Sequence, residues 1–126
     1  MTHPLPLKGT RILVVEDDYL IAMDVCETLA SCGAEIIGPA TTMEQAAQLA
    51  EDTGRLDCIV LDLDLNGLPS IDFARALMLK AQRFVLVTGY DGDDILEELA
   101  AIPRVSKPFD PMHLCHVVES EIGRDA

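Results

Sequence analysis

The sequence predicts an α/β fold in which a doubly wound, five-stranded parallel sheet is covered by helices on both faces. Short β-branched segments alternate five times with segments whose apolar residues recur at helical spacing. The strand candidates are apolar throughout, as is typical of strands buried on both faces. The chain of 126 residues is the size of one domain. We therefore expect a single domain over 1–126, with its core at about 10–123.

The elements follow in order along the chain. RILVVE (11–16) is an apolar run that ends in an acid, which predicts the first strand. Helical spacing of apolar residues over 18–33 predicts the first helix, which Gly33 ends. Thr41-x-x-Glu44 is a capping box in front of the second helix. The remaining predicted strands are 34–38, 57–62, 83–88 and 103–107, and the remaining predicted helices are 42–52, 71–81, 91–102 and 111–122.

The charge balance argues against some classes of partner. With 22 acidic and 9 basic residues, the net charge is -13, which argues against a nucleic-acid partner bound through a basic face. This charge suits a metal cation or a basic protein partner. The sequence has no signal-peptide core, and no apolar run approaches the roughly 18 residues of a membrane span. We therefore expect a cytoplasmic protein that does not bind a membrane.

The cysteines show neither a CxxC motif nor the spacing of metal ligands, and three of them lie among apolar neighbours. Both observations favour small core residues in a reducing compartment over disulfides. The four are Cys26, Cys32, Cys58 and Cys115.

Polar residues stand where the predicted strands end. In doubly wound sheets, ligands bind beyond the carboxyl ends of the strands, where the strand order reverses. With the order 2-1-3-4-5, the first and third strands are neighbours, so Glu16, Asp17 and Asp62 would converge. Thr88 and Lys107 end the fourth and fifth strands beside them. Clustered carboxylates repel one another unless a cation lies among them, and Mg²⁺ prefers oxygen ligands. A carboxylate beside the metal can form an aspartyl phosphate.

The stretch DLDLNG (62–67) has two other interpretations. Its acids match the start of an EF-hand loop, but position twelve of that loop would be Phe73 instead of Glu, and a strand precedes it instead of a helix. Asp62 and Asp64 also match the D-x-D of haloacid-dehalogenase-type phosphatases, with Asn66 where those enzymes usually have Thr or Val. A small Mg²⁺-dependent phosphatase is thus a less favoured alternative.

The sequence closely resembles the receiver domain of bacterial two-component response regulators over essentially its whole length. The resemblance rests on four motifs that occur in the family's order: ILVVEDD (12–18), VLDLDLNG (60–67), VTG (87–89) and KPF (107–109). It implies a flavodoxin-like (βα)5 fold with strand order 2-1-3-4-5. No output domain follows the last predicted helix, so we expect a stand-alone or excised receiver.

The resemblance also implies roles for individual residues. Asp62 would accept the phosphoryl group, and Glu16, Asp17, Asp62 and the backbone carbonyl of Asp64 would bind Mg²⁺.

The remaining site residues follow from the same resemblance. Thr88 and Gly89 would bind the phosphoryl group and report its arrival, and Lys107 would contact another phosphoryl oxygen. The bond between Lys107 and Pro108 is cis in the family. Tyr90 flanks the site, where the family tunes hydrolysis of the phosphoryl group.

One position departs from the family pattern. Arg104 stands where the family usually carries the switch aromatic, a Tyr or Phe. VTGY before KPF is similar to the FATGUY subgroup of receivers, which often lacks that aromatic. We hypothesise that ordering of residues 89–101 replaces the aromatic switch.

Three interpretations of function remain open. The first is a phosphorelay component that receives phosphate from a histidine kinase and passes it to a histidine phosphotransferase or retains it. The second is a phosphorylation-controlled module that docks a target protein on the face formed by the predicted fourth helix, fifth strand and last helix. The third is a binding module with a receiver fold that works without phosphorylation. We expect no enzymatic activity beyond self-catalysed phosphoryl acceptance and autodephosphorylation.

Overall fold

The computed structural model describes residues 5–65, 68–89 and 97–123. A central sheet of five parallel strands has the order β2-β1-β3-β4-β5, which confirms the predicted doubly wound topology. A short hairpin follows β3, in which Asp64–Leu65 pairs with Leu68–Pro69. A 3-10 turn covers Glu97–Leu99. The strands are β1 (Arg11–Val15), β2 (Glu35–Ala40), β3 (Cys58–Asp62), β4 (Phe84–Thr88) and β5 (Arg104–Ser106), and the helices are α1 (Tyr19–Ser31), α2 (Met43–Thr53), α3 (Ile71–Leu79) and α4 (Pro111–Ile122).

Both faces of the sheet are buried, as the continuous apolar strands predict. Alternate residues of β1 to β4 contribute to two separate core clusters. Val14 and Val60 belong to the cluster that includes residues of α1 and α4. Leu61 and Phe84 belong to the cluster that includes residues of α2 and α3. Burying an apolar side chain of this size stabilises the fold by roughly 1.5–3 kcal/mol, so these clusters hold the strand ends firmly in register.

The register of the strands brings their carboxyl ends to one level. Val15 of β1 pairs with Leu61 of β3, so the residues that follow them, Glu16 and Asp62, lie side by side. On the other side of β3, Thr88 of β4 pairs with Ser106 of β5. Glu16, Asp62 and Thr88 therefore lie at the same carboxyl end of the sheet.

Side-chain caps fix the starts of the helices near this edge. Asp18 precedes α1, and its carboxylate accepts hydrogen bonds from the backbone N–H groups of Leu20 and Ile21. The capping box of α2 lies one residue later than predicted: Thr42 accepts from the N–H of Gln45, and the Gln45 side chain accepts from the N–H of Thr41. The helix begins at Met43, so the Thr41–Glu44 pairing was wrong. A Thr-Thr pair followed by Glu and Gln fits both registers.

The predicted helix over 91–102 is wrong for the part that the structure describes. A 3-10 turn over Glu97–Leu99 is followed by turns as far as Ile102. Pro103 comes next, and a proline disfavours helical backbone at the residue before it. Leu99 is completely buried and anchors this turn in the core. Residues 90–96 lie outside the described part of the chain, so the hypothesis that 89–101 become ordered stays a prediction.

The expectation that every cysteine is a reduced core residue is wrong for two of the four. Cys32, at the end of α1, forms a disulfide with Cys115 of α4, although 83 residues separate them in sequence. Sequence spacing gave no sign of the pair because only the packing of α1 against α4 brings the two together. Cys26 and Cys58 are free thiols, and burial raises the pKa of the Cys58 thiol to about 12. In the described ranges, no helix is both long and apolar enough to cross a membrane.

Candidate phosphoacceptor and metal site

Three carboxylates meet at the carboxyl ends of β1 and β3. Glu16, Asp17 and Asp62 each place an oxygen such that the three oxygens lie within 4.8 Å of one another. Glu16 and Asp62 are buried because they directly extend or end the two central strands, and Asp17 is half-buried. The sequence predicted this convergence from strand order alone.

Lys107, which directly follows the edge strand β5, contacts two of these carboxylates. The Lys107 Nζ lies 2.9 Å from Glu16 Oε1 and 3.4 Å from Asp62 Oδ2. The Lys107 N–H donates to the carbonyl of Thr88 at 2.8 Å, which positions this residue. The bond to Pro108 is cis, as the resemblance implies. The site thus combines three acids with one base and is net negative.

Burial and crowding alter the proton affinities of this site. Desolvation is the largest cause that raises the pKa of Glu16, the adjacent Asp62 also raises it, and the Lys107 ammonium lowers it, with a net pKa of about 7. Burial lowers the pKa of Lys107. The hydrogen bond to Glu16 and the negative charges of Asp62 and Glu16 outweigh this effect, so the lysine pKa is raised. A second cation in the site would therefore be favourable.

The arrangement fits Mg²⁺. Three carboxylate oxygens at this spacing are the hard ligands that Mg²⁺ prefers, and a cavity of about 370 Å³ above them leaves room for waters and a phosphoryl group. The Asp64 carbonyl belongs to the hairpin, where Asp64 pairs with Pro69. The next pair, Leu63 with Ser70, is hydrogen-bonded, so Asp64–Pro69 is a non-hydrogen-bonded pair and the Asp64 carbonyl points away from the partner strand. That carbonyl suits the ligand role that the resemblance implies.

The other predicted site residues differ in their exposure to solvent. Thr88 is buried at the end of β4, and Gly89 lines the cavity. Arg104 is exposed on β5, so the departure from the aromatic switch introduces a solvated charge. Pro108 is exposed beside Lys107, and Tyr90 lies outside the described residues.

Sequence reasoning missed one residue of this site. Ser70 is completely buried, and its hydroxyl oxygen lies 2.7 Å from the backbone carbonyl oxygen of Asp62, to which it donates. A serine immediately before a predicted helix is normally interpreted as an N-cap, which conceals such a contact.

We expect metal-free protein to lose stability as the pH rises from about 4.5 to about 7. The folded-state pKa of Glu16 lies above its ordinary value of 4.5, so in this window the folded state holds a proton that the unfolded state has released. Stability then falls with rising pH. Denaturation by urea in EDTA, repeated across the window, measures this slope. Glu16→Gln, which stays neutral, should remove that part of the slope, and an unchanged slope in this variant would contradict the assignment.

Comparisons with known proteins agree with the geometry. PdtaR, a transcriptional regulatory protein of Mycobacterium tuberculosis, is 30% identical over 118 residues, which cover 90% of this chain and 57% of the relative. The phyllosphere-induced regulator PhyR of Methylorubrum extorquens is 28% identical over 117 residues, covering 90% of this chain and 44% of the relative. The chain therefore spans about half the length of these curated relatives.

A solved structure of similar size also matches. The solution structure of SdrG from Sphingomonas melonis Fr1 superposes with a TM-score of 0.71 at 29% identity, covering 97% of this chain and 98% of that one. The family described as the response regulator receiver domain matches residues 12–119, which is most of the chain. This chain belongs to the response regulator receiver domain family.

Proposed function

We propose that the chain accepts a phosphoryl group on Asp62 from a histidine kinase or a histidine phosphotransferase, with Mg²⁺ bound beside it. The observation that carries the proposal is the meeting of Asp62 with two further carboxylates and the Lys107 ammonium under an open cavity. An Asp62 oxygen attacks phosphorus, the O–P bond forms as the P–N bond of the phosphohistidine breaks, and the histidine nitrogen keeps the electron pair.

Each side chain has a separate part in this transfer. Glu16, Asp17, Asp62 and the Asp64 carbonyl would hold the metal, which supplies positive charge to the phosphoryl oxygens. Lys107 already lies beside Asp62 and can turn its ammonium to a phosphoryl oxygen. The Thr88 hydroxyl, at the end of the adjacent strand, would donate to another oxygen. The chain's own chemistry is then confined to accepting and losing this group.

The surroundings of the cavity suit a protein as the phosphoryl donor. Asp18 and Ile21 line the cavity, and the residues between them, Tyr19 and Leu20, are 70% and 78% exposed. Such large apolar side chains at the rim of a charged cavity are typical of a protein-binding surface. The sequence places this encounter in the cytoplasm, although a disulfide such as Cys32–Cys115 is rare in that compartment. The phosphorylated form would then pass the group to a second histidine protein or bind a target through the surface of β5 and α4. Assignment to the FATGUY subgroup stays a prediction.

Intact mass after incubation with acetyl phosphate tests the proposal. Wild type should gain the mass of one phosphoryl group in the presence of Mg²⁺ and none in EDTA. Asp62→Asn should gain none, whereas the control Asp24→Asn, an exposed acid of α1, should behave as wild type. Wild type that is labelled neither by acetyl phosphate nor by a histidine kinase would leave a binding module that works without phosphorylation.

A further inference from the structure

Ser70 occupies a helix-capping position without capping the helix. It immediately precedes α3, yet its side chain makes no hydrogen bond to the first turn of that helix. A serine at this position normally stabilises its helix by about 1 kcal/mol through such a bond. Ser70 directs its hydroxyl back along the chain, to the carbonyl oxygens of Asp62 at 2.7 Å and Leu63 at 3.0 Å. This buried hydroxyl therefore stabilises the backbone of Asp62 and Leu63 instead of the first turn of α3.

The backbone around Ser70 strengthens this connection. The Ser70 N–H donates to the Leu63 carbonyl at 2.9 Å, and the Leu63 N–H donates to the carbonyl of Val87 in β4 at 3.2 Å. The peptide groups on both sides of Leu63 are thus fixed to α3 and to β4. Asp64 is the next residue, so the hydrogen bonds of Leu63 restrict the direction of the Asp64 carbonyl.

The hairpin places Ser70 at the base of the loop that carries the metal ligand. Asp64 pairs with Pro69, and the chain reaches Ser70 one residue later. Because the adjacent pair, Leu63 with Ser70, is hydrogen-bonded, Asp64 and Pro69 form a non-hydrogen-bonded pair, and the Asp64 carbonyl points away from the partner strand. The hydrogen bonds of Ser70 to Asp62 and Leu63 at the base of the hairpin therefore help to orient that carbonyl.

We propose that Ser70 is a positioning residue that sets the Mg²⁺ affinity of the site by fixing the backbone from Asp62 to Asp64. The inference rests on the proposed function, because it takes Mg²⁺ as the cation and the Asp64 carbonyl as a ligand. Residues that orient metal ligands typically change metal affinity about 10- to 100-fold when they are replaced. Ser70→Ala removes the hydroxyl while removing no cap from α3.

Calorimetric titration of metal-free protein with MgCl₂ tests this role. Ser70→Ala should raise the dissociation constant about tenfold or more. The matched control is Thr42→Ala, which removes a true helix cap from α2 and should leave Mg²⁺ affinity unchanged. Wild type that binds no Mg²⁺ would refute the proposed function itself. Wild type that binds, together with Ser70→Ala of equal affinity, would overturn only the role of Ser70.

A measurement on wild type keeps the inference testable even if Ser70→Ala does not fold. Coupling between two sites is reciprocal, so a contact that favours metal binding must itself be strengthened by the metal. Mg²⁺ should therefore slow hydrogen exchange at the Ser70 amide, which donates to Leu63, more than at the Ala46 amide of α2, which donates to Thr42. Equal effects at the two amides would overturn the proposal.

Discussion

Reduction of the disulfide between Cys32 and Cys115 is expected to lower the free energy of unfolding by about 4–5 kcal/mol. The bond joins residues 83 positions apart, and a cross-link that closes so long a loop removes much of the conformational entropy of the unfolded chain. Domains of this size are stable by only about 5–15 kcal/mol, so the expected loss is a large fraction of the total.

Urea denaturation with and without dithiothreitol measures this contribution. The double variant Cys32→Ser/Cys115→Ser should be as unstable as reduced wild type and insensitive to the reductant. Cys26→Ser, which changes a free thiol, should keep the full response. Equal stability of oxidised and reduced wild type would show that the disulfide does not constrain the unfolded chain as expected.

Replacement of Lys107 by methionine should destabilise the metal-free protein by roughly 3–5 kcal/mol at about pH 8, because it leaves buried carboxylates without their cation. Lys107 lies 2.9 Å from Glu16 and 3.4 Å from Asp62, and both acids are buried. Near pH 5 the loss should be much smaller. The Glu16 pKa is already raised to about 7, so there the carboxyl takes up a proton and needs no counter-charge.

Urea denaturation in EDTA at the two pH values distinguishes this account from a simple loss of packing. A loss that is the same at both values would indicate packing and contradict the electrostatic explanation. Lys80→Met serves as the matched control, since Lys80 is exposed after α3, and it should change stability little at either pH. Phosphoryl uptake on Asp62 should also fall in Lys107→Met and remain in Lys80→Met.

The strands and the acidic cluster could be predicted because they depend on local sequence and on one topological rule. A buried strand such as Cys58–Asp62 is apolar until its last residue, so the polar residue at its end is visible in the sequence. The strand order then brings Asp62 next to Glu16. The resemblance added roles for Thr88 and Lys107 that spacing alone does not supply.

The remaining features depend on contacts between distant segments. Cys32 and Cys115 meet only because α1 packs beside α4, which no spacing rule reveals. Ser70 matches the usual pattern of a helix cap, and only the structure shows that its hydroxyl donates to the backbone carbonyl of Asp62 instead. The acidic residues favoured a helix over 91–102, but in the described part of this segment Glu97–Leu99 form a 3-10 turn, and Pro103 disfavours helical backbone at the residue before it.

The two outer strands of the sheet have a consequence for self-association. An edge strand that offers a long row of backbone donors and acceptors is a template for pairing with another chain. Here one edge, β5, is three residues long and carries the exposed charge of Arg104. The other edge, β2, contains Pro39, which lacks an N–H, and its pairing with β1 is irregular at that point. Neither edge favours the addition of a further strand, so the sheet should not seed fibrillar aggregates at high protein concentration.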